Sequence, residues 1–217
     1  MPLFESMTSN GSSTPAQQVQ QQLQHAQHAG VGKVMQDFAS QIKPRLDQLQ
    51  QRNMQLSGEL NQRYIVFSDL NNCTRKNPEN YNDCAGLITA SRDLAIFYET
   101  NVPDICRQIQ SIISEVNILI TRIEASMGNS NDNPLCRLFT NPLLTACDSL
   151  REIQSSLCRY SNITTSALDR LAQIAANDEE YTSGLVSALQ QKGPDVKQFW
   201  LEFSETYQQQ HGIALSF

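Results

Sequence analysis

The residues with the most chemistry to offer are six cysteines, all lying between Cys73 and Cys158. A thiol can hold a metal, attack a substrate as its thiolate, or pair into a disulfide. No two of the six stand in a CxxC spacing and no histidine is close to them in sequence, so neither a zinc site nor a thioredoxin-like motif is expected. Pairing is the reading that uses all six. Cys73 and Cys84 are eleven residues apart, as are Cys136 and Cys147, and each pair brackets an Asn-Pro dipeptide, Asn77-Pro78 or Asn141-Pro142, that reads as a helix start. Local staples Cys73–Cys84 and Cys136–Cys147 would leave Cys106 and Cys158 for each other.

That last pair follows from register. If the helices before and after the polar turn near residue 131 form an antiparallel hairpin, Cys106 reflects onto residue 156, two short of Cys158. At about 1.5 Å of rise per residue the two sulfurs then stand at nearly one level. A rival scheme pairs Cys84 with Cys147 and Cys73 with Cys136, and keeps Cys106–Cys158. A different alternative leaves every cysteine reduced, since unpaired cysteine is among the most buried residue types. Disulfides call for an oxidising compartment. The opening stretch MPLFESMTSNGSSTPAQQ has neither a basic nor an apolar signal region, so the expectation of a secreted or surface protein rests on the cysteines alone.

Other chemistry-bearing groups are sparse. His25 and His28 are three apart in a Gln-rich tract and His211 stands alone, so no Ser-His-Asp or Cys-His set can be assembled. Asp178, Glu179 and Glu180 are consecutive, which points their carboxylates in different directions and suits a helix N-terminus rather than acid–base catalysis. Gly30-Val31-Gly32-Lys33-Val34 is too short for a phosphate loop and follows no strand. Asn10, Asn72 and Asn162 match the glycosylation pattern, as chance allows in a chain rich in Asn, Ser and Thr. No cofactor or metal is implied. The net charge of −6, without a basic stripe, argues against nucleic acid as a partner. The aromatic set Phe199, Trp200, Phe203 and Tyr207, behind a Gly193-Pro194 hinge, is the candidate contact for a protein partner, although a terminal amphipathic helix more often covers its own core.

The elements that must position these residues are helical. Val31, Met35, Phe38, Ile42, Leu46, Leu49, Leu56, Leu60, Tyr64 and Phe67 repeat at three, four or seven residues, with Pro44 placed to kink or split the helix just before it. A second helix is expected from Pro78 to about Thr100, and a third after Asn101 with Pro103 in its first turn and the stripe Ile105, Ile109, Ile112, Val116, Leu119, Ile123. A fourth runs from Pro142 to about Ala176. Two shorter ones follow, meeting at Gly193-Pro194. No stretch alternates with period two, and apolar runs such as Tyr64 to Phe67 are far below the roughly 20 residues of a membrane span.

The sequence thus predicts an all-α protein: an elongated antiparallel bundle of four or five main helices with coiled-coil-like packing. A disordered or weakly helical Gln/Ser/Thr-rich tail over 1–30 precedes one domain over 31–212 and an apolar end over 213–217. Its function is expected to be non-enzymatic interaction or structure, in a disulfide-stabilised secreted protein working through amphipathic helices, either with a protein partner or by self-association. The alternatives are a cytoplasmic coiled-coil adaptor or assembly subunit with reduced cysteines, and a carrier of a small apolar ligand.

Overall fold

The computed structural model describes residues 30–215 together with Thr14, Ala16 and residues 19–21. Most of the N-terminal tail, with Asn10, His25 and His28, lies outside the described residues, as does Phe217. The chain is all-α, and no strand occurs among the described residues. Helix α1 covers Val31–Asp37, α2 Lys43–Lys76, α3 Tyr81–Met127, α4 Pro134–Ala175, α5 Glu179–Lys192 and α6 Pro194–His211. No helix among the described residues is long and apolar enough to cross a membrane.

Pro44 acts as its position predicts. Phe38–Ile42 form a π-helical turn directly before it, closed by the Lys43 amide donating to the Phe38 carbonyl. A wide turn of this kind absorbs the backbone bond that proline cannot make.

The other interior prolines behave differently, and two expected helix boundaries are corrected. α3 runs without a break through Pro103, and α4 begins at Pro134 and runs through Pro142. Around Pro103, Leu94, Val102, Ile105 and Ile109 are all buried, so continuing the helix keeps one apolar stripe in register on both sides. Each such side chain contributes on the order of 1.5–3 kcal/mol by leaving water. Together they outweigh the roughly 3 kcal/mol that an interior proline costs. Carbonyls of the preceding turns gain side-chain donors: Thr100 Oγ1 donates to Ile96 O at 2.7 Å and Asn101 Nδ2 to Phe97 O at 2.9 Å. Before Pro142, Thr140 Oγ1 donates to Cys136 O at 3.2 Å. Neither Asn-Pro dipeptide starts a helix. Asn77-Pro78 lies in a turn, and Asn80 caps α3, its Oδ1 accepting from the amides of Asn82 and Asp83.

Two compact units divide the chain. The first comprises Met1–Leu46 and Ile112–Asp148. Its core holds Val31, Val34, Ile42 and Leu46 together with Val116, Ile123, Cys136, Leu143 and Cys147. Arg45 makes a two-pronged ion pair with Glu115, at 2.6 and 2.9 Å. The turn between α3 and α4 is closed by Asn133, whose Oδ1 accepts from the Leu135 amide while its Nδ2 donates to Met127 O.

The second unit comprises Asp47–Ser111 and Ser149–Phe217. Within it α2 and α3 run antiparallel, joined by the Arg52–Asp104 pair at 3.0 Å. α4 runs antiparallel to α3, with Gln110 Nε2 donating to Gln154 Oε1 at 2.7 Å. α5 opens on Asp178, whose carboxylate accepts from the Tyr181 amide, the capping role expected of it. Gly193, at φ 116, closes α5, and Pro194 opens α6. Leu215 is buried beyond the end of α6, whereas Ile213 remains exposed.

Candidate functional site

The cysteines fall into three environments, and none forms a disulfide in the structure. Cys136 and Cys147 lie on the same unbroken helix, α4. Eleven residues of helix separate them by about 16 Å along the axis, against the roughly 4.4–6.8 Å that a disulfide allows between Cα atoms. The predicted Cys136–Cys147 staple is therefore excluded while α4 is formed. Both are core positions in a stripe that also buries Thr140, Leu143 and Leu150, at alternating four- and three-residue steps. They fill space as small apolar side chains do.

Cys84, buried in the first turn of α3, is engaged elsewhere than with Cys73. The Tyr181 hydroxyl donates to its sulfur at 2.9 Å, and the thiol donates to Pro78 O at 3.6 Å. Cys73 is exposed in the last turn of α2. The expected Cys73–Cys84 staple gives way to this tyrosine–thiol–carbonyl chain. Burial pushes the Cys84 thiol and the Tyr181 hydroxyl above their ordinary values. Beside them Arg170 Nη2 donates to Asn71 Oδ1 and Thr74 Oγ1, both at 2.9 Å. Burial and the neighbouring Arg75 pull the Arg170 guanidinium down.

Cys106 on α3 and Cys158 on α4 are brought together, as the register argument predicts. Burial, then the neighbouring Cys158 sulfur, raise the Tyr98 hydroxyl beside them. Cys158 is exposed and Cys106 half-buried. Burial, then the Cys158 sulfur, raise the Cys106 thiol; burial also raises Cys136.

A pH dependence follows. Cys84, Cys106 and Cys136 hold their protons more tightly folded than unfolded, so the stability they contribute is complete below the unfolded thiol value of about 8.5 and is lost as pH rises through the folded values. Urea midpoints are expected to be flat from pH 7 to 8 and to fall above about pH 8.5, with a shallower fall in Cys84→Ala. An alkaline limb of the same slope in that variant would refute the Cys84 contribution.

The aromatic stripe expected to meet a partner is mostly turned inward. Trp200 and Tyr207 are buried, with Val196 and Ser204, while Phe199 and Phe203 are half-buried. α6 covers its own unit because burying an indole and a phenol outweighs displaying them. His211 lies over Tyr207, ring centroids 4.4 Å apart. Among the described residues no three His, Cys, Asp or Glu converge as a metal site would need.

A feature that the sequence reading did not single out is an open groove in the second unit between α2 and α3, with a volume of about 660 Å³. Val66 and Ile96 line it, 55% and 46% exposed. Phe97 lies in its wall beneath the Arg63 guanidinium, 3.9 Å from the ring centroid. Arg92 and Asp93 also line it, paired with one another at 3.4 Å, and Arg92 reaches Asp195 at 3.7 Å. The signal was available: Ile65 and Val66 are apolar yet out of step with the Leu56, Leu60, Phe67 stripe. The chain matches no protein-family model, no curated protein and no solved structure.

Proposed function

We propose that the protein is a non-enzymatic helical-bundle interaction or assembly protein, and that it self-associates through the α2–α3 groove. The observation that carries this reading is the pair Val66 and Ile96, large apolar side chains about half exposed on one groove. Contiguous apolar surface left uncovered beside charged groups marks interaction sites. The rim supports a second copy as occupant. Arg92 and Asp93 pair with one another there at 3.4 Å, and a two-fold contact lets two copies exchange these partners, the cation of each facing the carboxylate of the other. Arg63, stacked on Phe97, extends the apolar floor with its aliphatic stem.

Of the two settings considered for such a protein, support favours the adaptor or assembly subunit with reduced cysteines over the secreted form with three bridges. Cys136 and Cys147 fill core positions of one helix, and the Cys84 thiol is hydrogen-bonded to Tyr181.

Sedimentation velocity over a wide concentration range tests the reading. A reversible dimer is expected, and Val66→Asp with Ile96→Asp is expected to weaken it at least about tenfold, the worth of about 1.4 kcal/mol. Both positions are exposed, so the double variant should keep its helical circular dichroism. A wild-type monomer at every concentration, or a dimer indifferent to the double variant, would overturn the proposal.

A further inference from the structure

The register of α3 against α4 places Cys106 and Cys158 opposite one another. The Gln110–Gln154 bond at 2.7 Å fixes the register of α3 against α4, and Cys106 lies four residues before Gln110 while Cys158 lies four after Gln154. In an antiparallel helix pair that is the next rung, about one turn along. Both residues belong to the second unit. Cys84, Cys136 and Cys147 are buried, and Cys73 is exposed on α2. Cys106 and Cys158 are the two that combine partial solvent access with a cysteine at the same level of the neighbouring helix.

We propose that Cys106 and Cys158 form a reversible dithiol–disulfide pair, oxidised by low-molecular-weight disulfides of the glutathione class and joining α3 to α4 when closed. The exposed Cys158 thiol reacts first. Losing its proton to water, its sulfur attacks one sulfur of oxidised glutathione; the S–S bond of the oxidant breaks and one glutathione thiolate departs. Cys106, likewise deprotonated, then attacks the Cys158 sulfur of this mixed disulfide. A Cys106–Cys158 bond forms, the second glutathione leaves as thiolate, and the two leaving groups take up the two protons released. Two protein thiols are oxidised and one small disulfide is reduced to two thiols, so atoms and electrons balance. A thiolate is the attacking species throughout. The sulfurs must close to about 2.0 Å, which side-chain rotation can accomplish when the two residues already share one rung. This pair is separate from the α2–α3 groove, and its test does not depend on self-association.

The experiment takes the full chain, reduced and freed of reductant, through buffers of rising oxidised-to-reduced glutathione ratio. The sample is acid-quenched, unfolded, alkylated and weighed, and its bridges are mapped by peptide. Alkylatable cysteines are expected to fall from six to four, with the peptides of Cys106 and Cys158 linked within one chain. Returning the sample to reduced glutathione should restore all six. Cys106→Ser is expected to stop at a glutathione adduct on Cys158. Cys158→Ser, changed at an exposed position, is expected to keep the fold and form no intramolecular bridge. Six alkylatable cysteines in excess oxidised glutathione, a bridge to any other cysteine, or a covalent dimer through Cys158 would each overturn the proposal. So would Cys106→Ser without the adduct.

Discussion

Replacing Trp200 with alanine is expected to cost the fold about 3–5 kcal/mol, the range for emptying a buried indole site. Trp200 is 1% exposed, and α6 has no comparable anchor: Val196, Ser204 and Tyr207 flank it on the buried face, and Phe203 stacks on it at 5.6 Å between centroids. A cavity that large in a short helix does not refill by collapse, because the remaining aromatics lie along the same face. Urea unfolding followed by circular dichroism reads the loss directly. Trp200→Phe makes a sharper comparison. The indole Nε1 is buried without a hydrogen-bond partner, and an unpaired buried donor carries a penalty of about 1–3 kcal/mol. Phenylalanine removes that donor while opening a smaller void, so its cost should fall well below that of alanine. If Trp200→Ala left the midpoint unchanged, the indole would be a displayed contact after all.

Gly184→Leu is the second large effect. Gly184 lies in α5 with no side chain because the Tyr81 ring occupies the space; a Cβ there would overlap three of its ring atoms. The same ring meets Tyr181 edge-on at 5.5 Å, so it cannot swing without disturbing the partner that bonds Cys84. Leucine is a far better helix former than glycine, by about 0.8 kcal/mol, yet overpacking of this kind typically costs 1–3 kcal/mol and occasionally more. A net loss of about 2 kcal/mol is expected. The cause is identified by a cycle with Tyr81→Ala. Each single change should destabilise, and the double variant should lose less than the sum, with a coupling of about 1 kcal/mol or more. Strict additivity would mean that the Tyr81 ring is not what excludes a side chain at Gly184.

How much of this was legible in the residues depends on what each signal measures. The stripe from Ile105 to Ile123 predicts a buried face, and every one of its members is buried. The cysteine level argument needs only rise per residue and a turn centre; it places the counterpart of Cys106 two residues from Cys158, and the Gln110–Gln154 register makes Cys158 that counterpart. Proline misled where local propensity was weighed alone. At Pro103 and Pro142 the helix continues because apolar residues on both sides share one face, a tertiary term that an Asn-Pro dipeptide does not display. The same error made Cys136 and Cys147 look like brackets around a boundary, when with Leu143 and Leu150 they are rungs of one core stripe. The Tyr181–Cys84 bond spans 97 residues, and no local pattern encodes such a pairing. The groove was half legible: Val66 out of step is a sequence fact, but its neighbour Ile96 lies 30 residues away.

The interleaving of the two units sets an order on synthesis. Residues up to Leu46 belong with Ile112–Asp148, and Asp47–Ser111 belong with Ser149–Phe217, so neither unit is a contiguous piece of chain. A ribosome delivers Val31, Val34, Ile42 and Leu46 first, and their core partners begin only 66 residues later, at Ile112. At roughly 5–20 residues per second that is a wait of about 3–13 s with apolar side chains uncovered. The second unit then waits in turn for everything after Ser149. Cutting the gene between the units therefore yields no independent half, and the apolar segment from Val31 to Leu46 depends for the whole of that wait on whatever shields nascent chains.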